Sequence, residues 1–411
     1  MNIPSPVQVT HPITIIGSGL AAYTVIREIR KINTEVGIVL ITREPGYFYS
    51  KPMLSTAFAS KKTASQLIMT PIEKMASSLG ITIHPNTTVT HIDPLDKKIS
   101  SSSGDFHYSK LVLALGADQM KLDLEGNAAD QVLFINDLED YQKFRGRIEG
   151  KRKISILGAG LIGCEFANDL RLGGFDVDVI DLAPQVLGRL LPPEASQVLQ
   201  EKLSALGVTW HLSTTVHSMN HQIDQFKIEL ANGCTINCDT VLSAIGLKPR
   251  IQLAKECGLD TQIGIVVNLK LQTSNPDIYA IGDCAEFEQP PGPGRRTLEQ
   301  VWYTGRMHGE TLAYNFCNKP VSYQPGVWFN SAKLFAIEYQ TYGIVSPEAA
   351  AGVPCFYWEH RFGKVSFRME MDEAGKIVGV INLGFRLRHE FFDRAIREKW
   401  SGQQVIQRLE E

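Results

Sequence analysis

At 411 residues, with 44% hydrophobic side chains and a formal charge of −3, the chain can build two or three cores and carries no field that would draw nucleic acid. No stretch reaches the roughly 18 apolar residues of a membrane-spanning helix, and the opening MNIPSPVQVTHP lacks the cationic-then-apolar order of an export signal, so a cytoplasmic protein is expected. Seven cysteines, an odd set without a CxxC pair, argue against a disulfide framework and against a dithiol redox centre.

The first predicted element is ITIIGSGLAA at 13–22, a short apolar strand that runs through a glycine turn into a helix ending near residue 31. A second strand, VGIVLIT, ends near Thr42, and a loop of mixed chemistry, EPGYFYSKPMLS, follows it. The stretch TVTHIDPLDKKISSSSGDFHYSKLVLALGA reads as a β-meander feeding a buried strand at 111–115 that stops at Gly116. A linker at about 124–136 leads to ISILGAGLIG at 154–163, a second copy of the glycine signature. Its helix, the strand FDVDVID, a hairpin region and TVLSAIGLKPR complete that unit. Then LQTSNPDIYAIGDCA supplies a buried strand ending in Gly282-Asp283, which is expected to return to the first sheet, and the helix TLEQVWYTGRMHGETLAYNF follows at once. From about residue 323 alternating aromatic strands, PCFYWEHRF, KVSFRMEMD and KIVGVINLG, and an amphipathic helical tail announce a third, α+β unit.

One glycine fingerprint is weak evidence; two in frame, each after an apolar strand, imply two dinucleotide cradles. Gly17 and Gly158 allow the tight turn, Gly19 and Gly160 let backbone approach a diphosphate, and Ala22 and Gly163 let the helix pack close. The fold class expected is α/β, with two Rossmann-like domains and a small α+β C-terminal domain. The first domain spans 1–120 and 247–320, the second is inserted at 121–246, and the third covers 321–411. Asp181 stands twenty-three positions after Gly158 at a strand end, where a carboxylate accepts hydrogen bonds from a ribose diol and repels a 2′-phosphate; NADH is expected over NADPH. His217 and His221 have metal-like spacing but no third ligand nearby, and they read as structural or exposed; Cys164, Cys234 and Cys238 read as packing thiols.

The segments GSGLAA, YSKPMLST, YSKLVLALGA, INDLEDY, GAGLIGCEFANDL, VLSAIGLKPR and TSNPDIYAIGDCAE resemble the FAD-dependent pyridine nucleotide oxidoreductases of the glutathione reductase structural class. The resemblance covers roughly the first 310 residues and is strongest to the rubredoxin:NAD reductase and NADH-dependent ferredoxin reductase family. It implies FAD on Gly17, Gly19 and Ala22, Lys51 and Pro52 beside the isoalloxazine, Asp283 with Gly282 at the ribityl chain, and Gly116 and Gly246 where backbone passes close to a cofactor. The family's ribose-binding acid stands at the strand end, where this chain has Thr42; Glu44 is the nearby carboxylate, and the choice stays open. The resemblance also places Glu165 near the nicotinamide, where a pair with Lys51 would fix charge beside the flavin. Trp302 either shields the flavin or fills a core.

The resemblance implies an NADH-dependent flavoprotein passing electrons through FAD to a small iron protein, rubredoxin or ferredoxin, as a monomer or homodimer. The warrant is that the segment 47–55 holds no cysteine for a thiol relay. An NADH oxidase or a peroxide or CoA-disulfide reductase, and an NADH-sensing signalling flavoprotein, are the alternatives. An acidic partner would call for a basic face drawn from Arg295, Arg296, Lys333, Arg386, Arg388, Arg394 and Arg397; the plainer reading puts several of these on solvated helix faces.

Overall fold

The computed structural model describes residues 11–292, 294–334, 337–346, 354–360 and 365–409. The first sheet is parallel, in the order Ile278–Ala280, Lys110–Leu113, Ile13–Ile16, Ile38–Ile41, Thr82–His84. Its three central strands are largely aliphatic because helices and loops cover both faces. The last strand in chain order, Ile278–Ala280, joins after an excursion of more than 150 residues, pairing Ile278 with Leu111. The antiparallel meander Val89–Asp93, Lys98–Ser101, Gly104–His107 precedes Lys110–Leu113.

The second sheet is also parallel, in the order Val208–His211, Asp176–Ile180, Lys153–Leu157, Thr240–Ser243. An antiparallel sheet of Val216–Gln222, Gln225–Leu230 and Thr235–Cys238 packs its Met219, Ile228 and Ile236 against Leu157, Ile180 and Val241 of that parallel sheet. The chain passes from one parallel sheet to the other along Ala117–Gln119 and returns along Leu247–Pro249, and these two crossings pair antiparallel.

In the C-terminal part five antiparallel strands lie in the order Phe329–Leu334, Ile337–Gly343, Ile377–Leu383, Ser366–Met371, Cys355–Glu359. Strand alternation sorts the central strand's side chains between two cores. Ile381 and Leu383 join Tyr339 against Phe166 and Leu199 of the second unit, while Val380 faces Phe392, Ala395 and Val405 of the helices His389–Arg397 and Gly402–Leu409. The tail is thus two helices seated on one sheet face.

The helix expected from Thr297 begins only at Trp302 and runs to Phe316. A buried ion pair lies in the approach to it. Arg295 Nη1 donates to Glu299 Oε2 at 2.9 Å, with both side chains almost fully buried, and Arg295 Nη2 donates to the Pro325 carbonyl at 2.6 Å. Glu299 Oε1 accepts the Arg296 N–H and Oε2 accepts Thr304 Oγ1. Arg295, expected on a basic docking face, is therefore a buried structural residue. Of the other cations expected there, Arg386, Arg394 and Arg397 each pair with a carboxylate: Glu338, Glu398 and Asp393.

The same helix meets Leu20–Ile32 at close range, because a Cβ on Gly309 would stand 2.9 Å from the Ala21 carbonyl oxygen. His308 beside it is 1% exposed, edge-on to the stacked Phe287 and Tyr323 rings, and its Nδ1 accepts the Gly282 N–H at 3.1 Å. Burial, aided by the Arg295 charge, pushes its pKa down to about 3.

Two outcomes follow for stability. Glu299→Ala leaves the Arg295 guanidinium buried and uncompensated and is expected to cost about 3–5 kcal/mol in urea denaturation, whereas the double replacement Arg295→Met with Glu299→Leu is close to neutral. Equal losses in the two variants would contradict this. His308, neutral when folded, binds its proton only on unfolding once the pH drops below about 6.5, so stability is lost as pH falls. Between about pH 6.5 and 5 the wild type should lose up to roughly 1.4 kcal/mol per pH unit more than His308→Asn, which lacks the titrating ring. Parallel pH profiles would show that the ring does not bury its neutral form.

Candidate functional site

The first glycine turn follows Ile13–Ile16. Gly17 has φ +113°, and a Cβ there would lie 2.2 Å from the Ala114 carbonyl oxygen, so no other residue fits. Gly19 caps the helix Leu20–Ile32 without any side-chain hydrogen bond, and nothing lies within 4 Å of where its Cβ would be. The amides of the first helical turn therefore face open space, the donor set that suits a diphosphate. Ala22 is fully buried.

At the end of the second strand Thr42 is turned inward. Its Oγ1 lies 2.9 Å from Ser18 Oγ and accepts the Glu44 N–H at 3.2 Å, tying the strand end to the glycine turn. Among the described residues the Glu44 carboxylate accepts no hydrogen bond, and it borders a cavity of about 270 Å³ lined by Arg43, Tyr47, Asp137 and Asp140. Burial and Asp137 push its pKa up, against the pull of Arg250, Arg43 and Lys51.

The second turn repeats the first with tighter clearances. Gly158 has φ +106° and its Cβ would stand 2.6 Å from the Ala244 carbonyl oxygen; a Cβ on Gly163 would collide with the Gly158 carbonyl at 1.9 Å. Gly160 caps Leu161–Leu172, again with no side chain across the helix end and nothing near its missing Cβ. Asp181, just past Asp176–Ile180, accepts the Ala159 N–H at 2.5 Å and the Ala183 N–H at 2.7 Å, so one carboxylate braces the glycine turn and the loop after the strand. The next side chain, Leu182, is 71% exposed and carries no charge.

Between the cradles lies the short 3₁₀ helix Lys51–Ser55, with Pro52 and Lys51 exposed. The expected Lys51–Glu165 pair is not formed. Lys51 Nζ donates to Asn136 Oδ1 at 2.6 Å, and Asn136 Nδ2 donates to the Ala117 carbonyl at 2.9 Å; Glu165 Oε2 accepts Ser55 Oγ at 2.6 Å. In a three-residue repeat positions four apart point about 120° from one another, so the turn that presents Ser55 to Glu165 aims Lys51 elsewhere. Burial raises the Glu165 pKa and the Ser55 hydroxyl lowers it.

Asp283 sits in the tight turn Gly282–Cys284, where Gly282 has φ +74° and its Cβ would press on Ala21 at 3.2 Å. Burial pushes the Asp283 carboxyl up; the Lys51 and Arg250 charges hold it down. Arg250 Nη1 lies 3.6 Å from where a Gly116 Cβ would be and donates to the Leu115 carbonyl, while its Nε donates to Asp118 Oδ1 at 2.6 Å. Gly246, φ +131°, leaves room for Met120. Trp302 is 53% exposed at its helix start and meets Tyr303 edge-on, so it fills no core. Asn136, Ser55 and Arg250 were missed as site residues; they lie within INDLEDY, YSKPMLST and VLSAIGLKPR, but only the fold shows that their side chains converge.

The thiols nearest the cradles are inert in character. Cys164 is fully buried, points its Sγ at the Ala159 carbonyl, and has its pKa raised by burial; Cys284 is likewise buried and pushed up to about 11. His221 bonds to Gln131, His217 lies 3.7 Å from Glu125, and the described residues contain no group of three possible metal ligands.

This paired arrangement matches known proteins along most of its length. The family model described as pyridine nucleotide-disulphide oxidoreductase matches residues 11–309. A rubredoxin-NAD(+) reductase of Alcanivorax borkumensis is 47% identical over 279 residues, 68% of this chain and 73% of that protein, and one from Acinetobacter baylyi is 44% identical over 284 residues, 67% and 72%. The crystal structure of a ferredoxin reductase from Rhodopseudomonas palustris superposes with a TM-score of 0.86 at 27% identity, covering 96% of this chain and 97% of that one. Two glycine turns with open helix ends, the crossing ribbon between them and these likenesses together place the chain in the pyridine nucleotide-disulphide oxidoreductase family.

Proposed function

We propose that this protein is an NADH-dependent flavoprotein reductase that carries electrons from NADH through FAD to a small iron protein of the rubredoxin or ferredoxin type. The two open glycine cradles fit two dinucleotides: Gly17, Gly19 and Ala22 receive the FAD diphosphate, and Gly158, Gly160 and Gly163 that of NADH. Glu44 serves the FAD adenosine ribose and Asp181 the NADH ribose, which a 2′-phosphate could not approach without like-charge repulsion. Asp283, with Gly282, Gly116 and Gly246, lines the flavin side; Lys51 and Pro52 border its ring, and Glu165 the nicotinamide. Bound FAD supplies the ability to accept a hydride and to give up electrons singly. The protein's part is orientation and fixed charge beside the ring. No helix among the described residues is long and apolar enough to cross a membrane; the proposed place of action is the cytoplasm.

The observation that carries direct electron release from the flavin is the absence of a usable sulfur beside the cradles, and the iron protein as acceptor rests on the named relatives. The segment 47–55 has no cysteine, and the Cys164 and Cys284 thiols are buried with raised pKa values, so neither offers a thiolate relay. Relatives named rubredoxin-NAD(+) reductase and a neighbour named ferredoxin reductase support the same reading.

The NADH-reduced protein, mixed anaerobically in a stopped-flow instrument with rubredoxin, ferredoxin, a quinone and peroxide in turn, is expected to reoxidise fastest with an iron protein, at rates that Cys164→Ser and Cys284→Ser leave within about twofold. Fastest reaction with peroxide, abolished by either serine, would contradict the proposal.

A further inference from the structure

The helix Leu161–Leu172 faces two ways. Its N-terminal end is the second glycine cradle, and along its side it carries Glu165 and Asp169, four residues apart and so on one face. Glu165 receives the Ser55 hydroxyl. Asp169, only 4% exposed, accepts the Phe58 N–H at 2.5 Å, and the Ala59 amide lies beside the same carboxylate. Both contacts grip the segment that starts at Lys51. Farther along it the Lys62 carbonyl accepts hydrogen bonds from Tyr141 Oη, at 2.7 Å, and from Arg145 Nη1. The Phe58 ring packs against Tyr141, Phe144 and Phe166 at centroid distances of 4.7, 5.3 and 6.3 Å. Leu54, Ala57, Phe58 and Leu67 all belong to the hydrophobic cluster of the second unit, although the chain enters the segment from the first sheet.

We propose that Asp169 is a positioning residue for hydride transfer: by holding the Phe58 amide, with the Ala59 amide beside it, it fixes the segment that begins at Lys51 to the same helix whose N-terminus seats NADH. The inference rests on the flavin and NADH reading above. The step it serves breaks the C4–H bond of NADH, moves the hydrogen with both bonding electrons to FAD, and releases NAD⁺, so the donor loses two electrons and the acceptor gains two. Its rate depends on the distance and angle between two rings held by different sheets. A helix tied at one end to the nicotinamide nucleotide and along its flank to the flavin-side turn makes that distance a property of one rigid element. A carboxylate suits the task because both of its oxygens are acceptors, so neither the Phe58 amide nor the neighbouring Ala59 amide meets a donor. The amide of Asn would turn an N–H₂ group toward one of them and lose that anchor.

The test uses the purified flavoprotein and Asp169→Asn, with Asp169→Glu as the conservative variant. In Asp169→Asn, single-turnover flavin reduction at saturating NADH should slow about tenfold while the NADH Kd stays within about twofold, because misplacement raises the barrier without removing a binding group. The primary isotope effect with C4-deuterated NADH should rise, and amide hydrogen exchange over residues 56–62 should quicken in the flavin-loaded protein. Asp169→Glu, which keeps two acceptor oxygens, should recover part of the reduction rate and of the exchange protection; if Asp169→Asn fails to hold flavin, the Glu variant's slowed reduction carries the test. Wild-type reduction rates in the flavin-loaded variants, or faster exchange without slower reduction, would overturn the role of Asp169. A wild-type protein that NADH does not reduce would instead overturn the reading on which the inference rests.

Discussion

The structure turns on how close a helix can start to the strand that feeds it. At Gly17 and at Gly158 a single added carbon would meet a neighbouring strand's carbonyl oxygen, 2.2 and 2.6 Å away, and at Gly163 the helix itself presses on the turn. These clearances bring the first-turn amides to the rim of each parallel sheet with no side chain across them. Helix ends are ordinarily capped by Ser, Thr, Asp or Asn. Here Gly19 and Gly160 leave the donors unsatisfied from within the chain, which makes each end a seat for an anionic group.

Everything between the seats keeps them in register. The paired crossings Ala117–Gln119 and Leu247–Pro249 set the two sheets side by side. Asn136 then links Lys51 to the Ala117 carbonyl on one crossing, and Arg250, from the end of the other, reaches Asp118 and the Leu115 carbonyl. The carboxylates here, Glu44, Glu165, Asp169 and Asp283, all have pKa values pushed up by burial. Such groups are costly in a core and gather where a ligand or a backbone anchor gives them work.

Much of the fold was legible because its signals are local. The glycine turns, the aliphatic strands before them and the meander ahead of Lys110–Leu113 follow from residues close in sequence. The site side chains were less so. Lys51 and Glu165 stand in recognisable segments, yet their partners, Asn136 and Ser55, depend on the direction of one 3₁₀ turn. Arg295 looked like a surface cation, and only the fold reveals Glu299 and the Pro325 carbonyl around it. The helix that follows starts at Trp302, later than the sequence pattern suggests. Thr42 and Glu44 could not be ranked from sequence, since the choice depends on Thr42 bonding to Ser18.

Under the proposed function one flavin, and no sulfur, stores the electrons taken from NADH. Anaerobic titration of the oxidised protein with NADH, followed by visible absorbance, tests this directly. One equivalent of NADH per flavin should complete the bleaching, with no further uptake of reducing equivalents. Consumption of two equivalents, with a thiolate-to-flavin absorbance band at the halfway point, would reveal a redox-active disulfide and contradict the account.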